Sequence, residues 1–237
     1  LSFGVGYSSA SGPVGEVSVS ERNLLGRGQF LRARVQIAGD SRVFDLTFRE
    51  PAFLDRDLEA GFNIFYRDEN LEEESDFQLT SVGFEPSLGF PVSENGRMRL
   101  FYEISDTDIR DVDGTTSPLI RLDEGSQTTS AFGARYTLDL RNDPLEPTGG
   151  YLLTFSGKAA GFGGGAQYGQ AIASAKTWTS FFDDEVVASV EAEAGGIFAF
   201  NSGVRVTDRF FLGGDTFRGF VFGGLGPRDV GSDDSLG

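Results

Sequence analysis

The sequence predicts an all-β protein, an antiparallel up-and-down transmembrane β-barrel present in part. Three observations carry this expectation. Apolar and polar residues alternate with a period of two in one window after another, which places each set on its own sheet face. The alternating runs reach about ten residues, enough to cross a bilayer at a tilt, whereas soluble strands average about five or six. Short turns also alternate along the chain with longer, more polar loops, the asymmetry of outer-membrane barrels.

The elements follow in order. In the first strand Leu1, Phe3, Val5 and Tyr7 alternate with Ser2, Gly4, Gly6 and Ser8. Clear alternation returns at 30–37, 43–50, 58–66 and 97–104, with Met98, Leu100, Tyr102 and Ile104 set against Arg97, Arg99, Phe101 and Glu103 in the last of these. It appears again at 132–141, 151–158 and 186–194. The segment 167–181 alternates poorly, because Ala171, Ala173 and Ala175 are small and Ile172 and Trp178 share the polar register; spacing alone makes it a strand. Short breakers fall at 23–28, 50–55, 91–96, 142–150 and 183–184. Longer breaks fall at 9–13, 69–75, 107–127 and 201–237, with brief ones at Gly39-Asp40 and 162–166. The count is about eleven strands over residues 1–200, followed by a long loop over 201–237. An odd number of strands does not close a single-chain bacterial barrel. With no initiator Met and a Gly/Ser/Asp-rich end at Gly237, the sequence is expected to be a segment of something longer.

Composition narrows the function classes. No stretch approaches the roughly 18 consecutive apolar residues of a membrane helix, yet a mean hydropathy of −0.18 suits barrel walls that average lipid-facing and lumen-facing positions. Cysteine and histidine are absent, which removes disulfides, thiolate nucleophiles, the usual zinc ligands and any Ser-His-Asp relay. A net charge of −16 argues against nucleic acid as a partner, since phosphate binding needs a basic face. The acid runs at 72–74, 106–113 and 233–234 read as solvated loops and rims. The spacing of Asp106, Asp108, Asp111 and Asp113 does not fit an EF-hand, and Gly161 to Gly165 has no following Lys-Ser/Thr to cradle a phosphate. Glu191 and Glu193 face one side of one strand, where wall electrostatics outweighs a catalytic carboxylate pair. No enzymatic activity, cofactor or metal is expected.

Residues 213–220 read Gly-Gly-Asp-Thr-Phe-Arg-Gly-Phe. They resemble the sixth extracellular loop of BamA-type outer-membrane assembly barrels, a superfamily of bacterial insertases, mitochondrial sorting pores and two-partner secretion translocators. The segments Asn23 to Gln29, Glu50-Pro51-Ala52-Phe53, Gly89-Phe90-Pro91-Val92 and Arg141 to Tyr151 resemble that family's periplasmic turns, in its order and spacing. Gly226-Pro227-Arg228-Asp229 is similar to its continuation of the sixth loop. The resemblance implies sixteen strands preceded by periplasmic POTRA domains, so that about eleven of an expected sixteen are present here. It maps Arg218 onto a loop arginine that reaches into the lumen towards acidic residues on later strands, outside this chain.

The site implied is therefore a loop motif and a seam. In the motif, Arg218 needs charge-assisted partners, Gly219 lets the backbone pass close to the wall, and Phe217 and Phe220 anchor the tip, with Gly213 and Gly214 before them. In the seam strand Phe3, Gly4, Val5, Gly6 and Tyr7, small inner residues pair weakly and expose backbone groups that template an incoming strand. Curvature accommodated at Gly4 and Gly6 is an equal alternative. The resemblance implies an integral outer-membrane protein that folds and inserts unfolded outer-membrane clients, in contact with outer-membrane lipids and with accessory lipoproteins. A TamA-like factor or two-partner secretion translocator, a passive porin and a soluble carbohydrate-binding sandwich are the alternatives.

Overall fold

The computed structural model describes residues 2–8, 12–71, 77–201, 203–214, 216–217, 219–221 and 223–237. The alternation resolves into one antiparallel sheet of eleven strands in the order of the sequence. These are β1 (Ser2–Ser8), β2 (Gly12–Leu24), β3 (Gln29–Ile37), β4 (Ser41–Glu50), β5 (Glu59–Asn70), β6 (Gln78–Pro91), β7 (Gly96–Arg110), β8 (Gly125–Asp139), β9 (Gly150–Gly164), β10 (Tyr168–Phe181) and β11 (Val186–Ala199). A short helix, α1 (Pro118–Leu122), sits between β7 and β8. Among the described residues β1 and β11 do not pair, so the sheet stays open.

Register lines up one face across strands. Val17, Val35, Phe44, Tyr66 and Val82 form one continuous row of direct partners. All five are exposed, as are Phe84, Leu88, Leu100, Ile104, Phe132 and Phe155 on the same face. Cross-strand ring contacts stitch this surface, Phe48 to Phe62 at 5.5 Å, Phe62 to Phe84 at 6.0 Å and Tyr102 to Phe132 at 4.7 Å. Such pairs add about 0.5–1.5 kcal/mol each. No second layer covers the face among the described residues. Soluble monomers rarely leave contiguous apolar patches beyond a few hundred Å², so this wall is made for hydrocarbon.

The opposite face carries the charges. Arg34 meets Glu16 at 2.9 Å, Arg99 meets Glu85 at 2.8 Å, Lys158 meets Glu103 at 3.1 Å and Lys176 meets Glu191 at 2.9 Å. Three of these pairs bridge neighbouring strands, and Lys158 of β9 reaches across β8 to Glu103 of β7. Glu191 is thus part of a wall ion pair.

Some sequence expectations need correction. The break at 107–127 narrows to 111–124, because β7 and β8 continue above the apolar band. There the Asp106 carboxylate accepts the Ser126 and Thr128 hydroxyls at 2.6 and 3.0 Å, so polar residues pair as strand. The weakly alternating segment is the whole of β10: Ala171, Ala173 and Ala175 share the hydrocarbon register, and Trp178 lies among lumen-side cations, 5.4 Å from Lys176 and 5.6 Å from Arg141. Leu1, residues 9–11 and the acid run 72–74 lie outside the described residues.

Two aromatics on the charged face have a packing reason. Phe65 stands directly opposite Gly83, and Phe101 opposite Gly133. A Cβ on either glycine would occupy the partner's ring. Gly133→Val in the full-length protein is therefore expected to cost about 2–3 kcal/mol by overpacking. Ala134→Val, one residue on and facing lipid, should change stability by less than about 0.5 kcal/mol. Urea unfolding from lipid vesicles checks the contrast, and equal effects would contradict the facing assigned here.

Buried apolar residues form two clusters, one of them Ala131, Ala160, Ala166 and Tyr168 along β8 to β10, with Ile197 and Val204 against it. Phe77, Ile109, Ile120 and Val206 cluster beneath the longer loops, with Leu71, Leu79, Val112, Phe211 and Leu236 packed against them. Burial of such side chains contributes about 1.5–3 kcal/mol each, enough to hold loops as a fixed cap.

Candidate functional site

The described residues after β11 form a loop with an outgoing limb, a tip and a return limb. Its tip holds the motif predicted from sequence. Gly213 and Gly214 adopt φ of 128° and 57°, and the Gly214 N–H donates to the Phe220 carbonyl at 2.8 Å, closing the tip on itself. The Thr216 hydroxyl donates to the Gly213 carbonyl at 2.8 Å and accepts from the Gly213 N–H at 3.0 Å. Phe217 and Phe220 lie 5.5 Å apart, packed on one another and half-exposed. Gly219 has φ of 94°, and among the described residues no atom lies within 4 Å of where its Cβ would be. That φ is itself a conformational reason for glycine at this position. Arg218 lies outside the described residues.

Sequence reasoning missed the root of the loop. Arg205 donates to the carbonyls of Thr107 at 3.2 Å, Gly125 at 2.7 Å and Asp123, gathering the ends of β7, α1 and β8. The Val206 N–H donates to the Asp123 carboxylate at 2.8 Å. Burial pulls the Arg205 guanidinium below its ordinary range, with Asp123 and Asp208 opposing. The Tyr168 hydroxyl donates to Asp208 at 3.0 Å, and burial pushes the Asp208 carboxyl up. The Phe210 ring lies over Gly195 of β11, in space that a Cβ would fill.

The return limb is held from the opposite side. Pro227 to Leu236 forms a small hairpin, closed by Leu236 N–H to the Pro227 carbonyl at 2.9 Å and Asp229 N–H to the Asp234 carbonyl at 2.9 Å. Both acids at its neck meet Ser117, the fully buried N-cap of α1. The Ser117 N–H donates to Asp234 at 2.6 Å and its hydroxyl to Asp229 at 2.9 Å. N–H groups of Gly231 and Ser232 and the Ser117 hydroxyl hold the Asp229 carboxyl below the usual range. Arg209 links the limbs by donating to the Leu236 carbonyl at 3.0 Å. The pair Ser117 and Asp234 is separated by 117 residues, and no local pattern announces it.

The seam residues form β1, at seven residues the shortest described strand, against 15 in β7, β8 and β9. It pairs with β2 alone, from Ser2 with Ser18 to Ser8 with Gly12. Phe3, Val5 and Tyr7 are 75–82% exposed on the hydrocarbon face. Gly4 and Gly6 lie opposite Glu16 and Val14 on the lumen register, and among the described residues nothing lies within 4 Å of a Cβ at Gly6. The seam and the loop motif thus sit at opposite ends of the described chain.

The short turn between β8 and β9 is fixed by its own side chains. The Asn142 side-chain oxygen accepts from the N–H groups of Asp143, Thr148 and Gly149 at 3.0–3.1 Å. Asp143 accepts from Leu145 and Glu146, which hold its carboxyl below the ordinary range. Arg141 grips Asp139 through two nitrogens at 2.7 and 2.8 Å and reaches the Pro144 carbonyl at 3.0 Å.

Comparison with known proteins agrees with this geometry. The chain is 32% identical over its full length to a protein named outer membrane protein assembly factor BamA from Neorickettsia risticii (strain Illinois), covering 32% of that protein. It is 26% identical over 99% of its length to the protein of the same name from Nitratidesulfovibrio vulgaris, covering 30%. A SAM50-like protein from Schizosaccharomyces pombe is 27% identical over 93% of the chain and 47% of its own length. The chain thus spans between 30% and 47% of these relatives. In fold, it matches the crystal structure of BamA from Haemophilus ducreyi lacking POTRA domains 1–3, with a TM-score of 0.79 at 23% identity, over 95% of this chain and 46% of that one. CdiB from Acinetobacter baumannii matches with a TM-score of 0.56 at 16% identity, over 93% of this chain and 42% of that one. With the Omp85 superfamily domain matching residues 23–237, the chain belongs to the Omp85 superfamily and is part of an integral outer-membrane β-barrel.

Proposed function

We propose that the protein containing this chain is an outer-membrane assembly factor that folds and inserts unfolded β-barrel clients. The observation that carries this reading is the full-length 32% identity to a protein named outer membrane protein assembly factor. The mechanism proposed is non-enzymatic and needs neither nucleotide nor metal. A client strand adds to the edge of β1 when the barrel opens there, because unpaired N–H and C=O groups template an incoming strand. The seven-residue length of β1 and its open Gly4 and Gly6 positions support a seam that parts more easily than the longer ladders. Accessory lipoproteins and outer-membrane lipids belong to the same proposal.

Two variants of the full-length protein test it in proteoliposomes. A cross-link from Gly6→Cys to a cysteine on the closing strand should block client insertion and recover on reduction; insertion at the wild-type rate removes the seam. Arg218→Ala should expose the sixth loop to protease and slow client insertion, and wild-type protection with normal insertion would discard the motif's role.

A further inference from the structure

The turns joining β2–β3, β4–β5, β6–β7, β8–β9 and β10–β11 share a feature that hydropathy averages hide. Each carries a large apolar side chain exposed near its apex, namely Leu25, Leu54, Val92, Leu145 and Phe182. One exposed leucine is ordinary for any surface. The same exposure on all five turns of one rim is not. Leu54, Leu145 and Phe182 are 68%, 91% and 77% exposed.

Backbone conformation supplies an independent observation. Leu25, Leu54 and Phe182 have φ of 55°, 59° and 54°, the left-handed region that Gly, Asn and Asp occupy at least cost. A bulky residue there is strained, and such strain persists where an interaction offsets it. These three side chains find little inside the described chain, since all are exposed.

Their surroundings say what that interaction is. Phe182 follows Phe181, whose rung with Val186 ends the hydrocarbon face of β10 and β11. Val92 follows two residues after Phe90, and Leu145 caps the hairpin that leads into Tyr151 on the same face. Leu54 lines a groove of about 740 Å³ with Phe48, Ala60 and Phe62 of the lipid-facing wall. Phe53 beside it lines a second groove with Leu88 and Leu100. The turn between β4 and β5 therefore leans on the outside of the barrel. Apolar surface at this turn is continuous with the membrane wall, and Val92, Leu145 and Phe182 follow or precede strand residues of that wall in the chain.

We infer that the apexes of the short turns, at Leu54, Val92, Leu145 and Phe182, are a lipid-binding rim seated in the periplasmic leaflet. Their ligand is phospholipid at the boundary of headgroup and acyl chain, where apolar side chains on a polar backbone settle. The rim fixes the height of the barrel in the membrane from the side opposite the loop cap.

The test places single nitroxide labels at Leu54→Cys, Leu145→Cys and Phe182→Cys; these 237 residues hold no cysteine, and any cysteine elsewhere in the full-length protein is first replaced by serine. The full-length protein is reconstituted in vesicles of phosphatidylethanolamine and phosphatidylglycerol, and collisions with oxygen and with a water-soluble nickel chelate are measured. Val230→Cys, on the fully exposed apex of the loop hairpin, is the aqueous reference. Each rim label is expected to collide with nickel several-fold less often than the reference and with oxygen more often. Nickel collisions equal to the reference would place the rim in water and overturn the inference. Exclusion of both reagents would show another protein segment covering it and would equally overturn it. Should one label disturb its own turn, the other two carry the measurement.

Discussion

Phe84→Arg in the full-length protein is expected to destabilise the folded barrel by about 3 kcal/mol, the cost of arginine on the lipid face near the bilayer midplane. Phe84 sits midway along β6, between Ile64 and Ile104 in direct register, and its ring lies 6.0 Å from Phe62. The arginine would lose that ring contact and carry a guanidinium into hydrocarbon, with only snorkelling to relieve it. Ser87→Arg, three residues later, faces the lumen beside Phe101 in register, where water and the Glu85 carboxylate are available. Its cost should stay under about 1 kcal/mol. Urea-dependent folding into vesicles measures both. Similar costs for the two would mean that the apolar wall does not face lipid.

Arg205→Ala is expected to release the root of the sixth loop, at a cost of about 2–3 kcal/mol to the folded cap. A hydrogen bond from a charged donor contributes about 1.5–3 kcal/mol, and partial exposure of this site lets water replace some of what is lost. The guanidinium joins the Thr107, Asp123 and Gly125 carbonyls, so its loss leaves three acceptors without their donor. Limited proteolysis should then cut within 203–237 faster in the variant, while heat-modifiable mobility of the barrel stays unchanged. Protection equal to wild type would show that Val206, Phe210 and the Ser117 contacts hold the loop unaided. The Ser117 clamp makes a related prediction. Ser117→Ala keeps the N–H donated to Asp234 and loses the hydroxyl donated to Asp229, so it should expose the 227–236 hairpin to protease less than Arg205→Ala exposes the whole loop.

The strand faces were legible because a period of two is a local property. Val35, Phe44 and Tyr66 could be assigned to one wall before any partner was known, and the register then aligned them as direct neighbours. β10 was harder, since Ala171, Ala173 and Ala175 carry too little apolar surface to mark a face. The tops of β7 and β8 read as loop because polar residues there pair above the membrane and resemble any solvated segment. Phe65 and Phe101 fall in the polar register of their strands, and only the fold shows that Gly83 and Gly133 supply the space that receives them.

The chain's own residues determined its class, its facing and the tip motif of the sixth loop, because alternation, turn chemistry and a Gly-rich octapeptide are all written within a few positions of one another. Only the tertiary structure decided how that loop is held. Arg205 reaches carbonyls 80 to 98 residues away, and Asp234 meets Ser117 across 117 residues. Contacts of that separation depend on which strand tops and loop limbs the folded sheet brings side by side, and a one-dimensional pattern contains no distance between them.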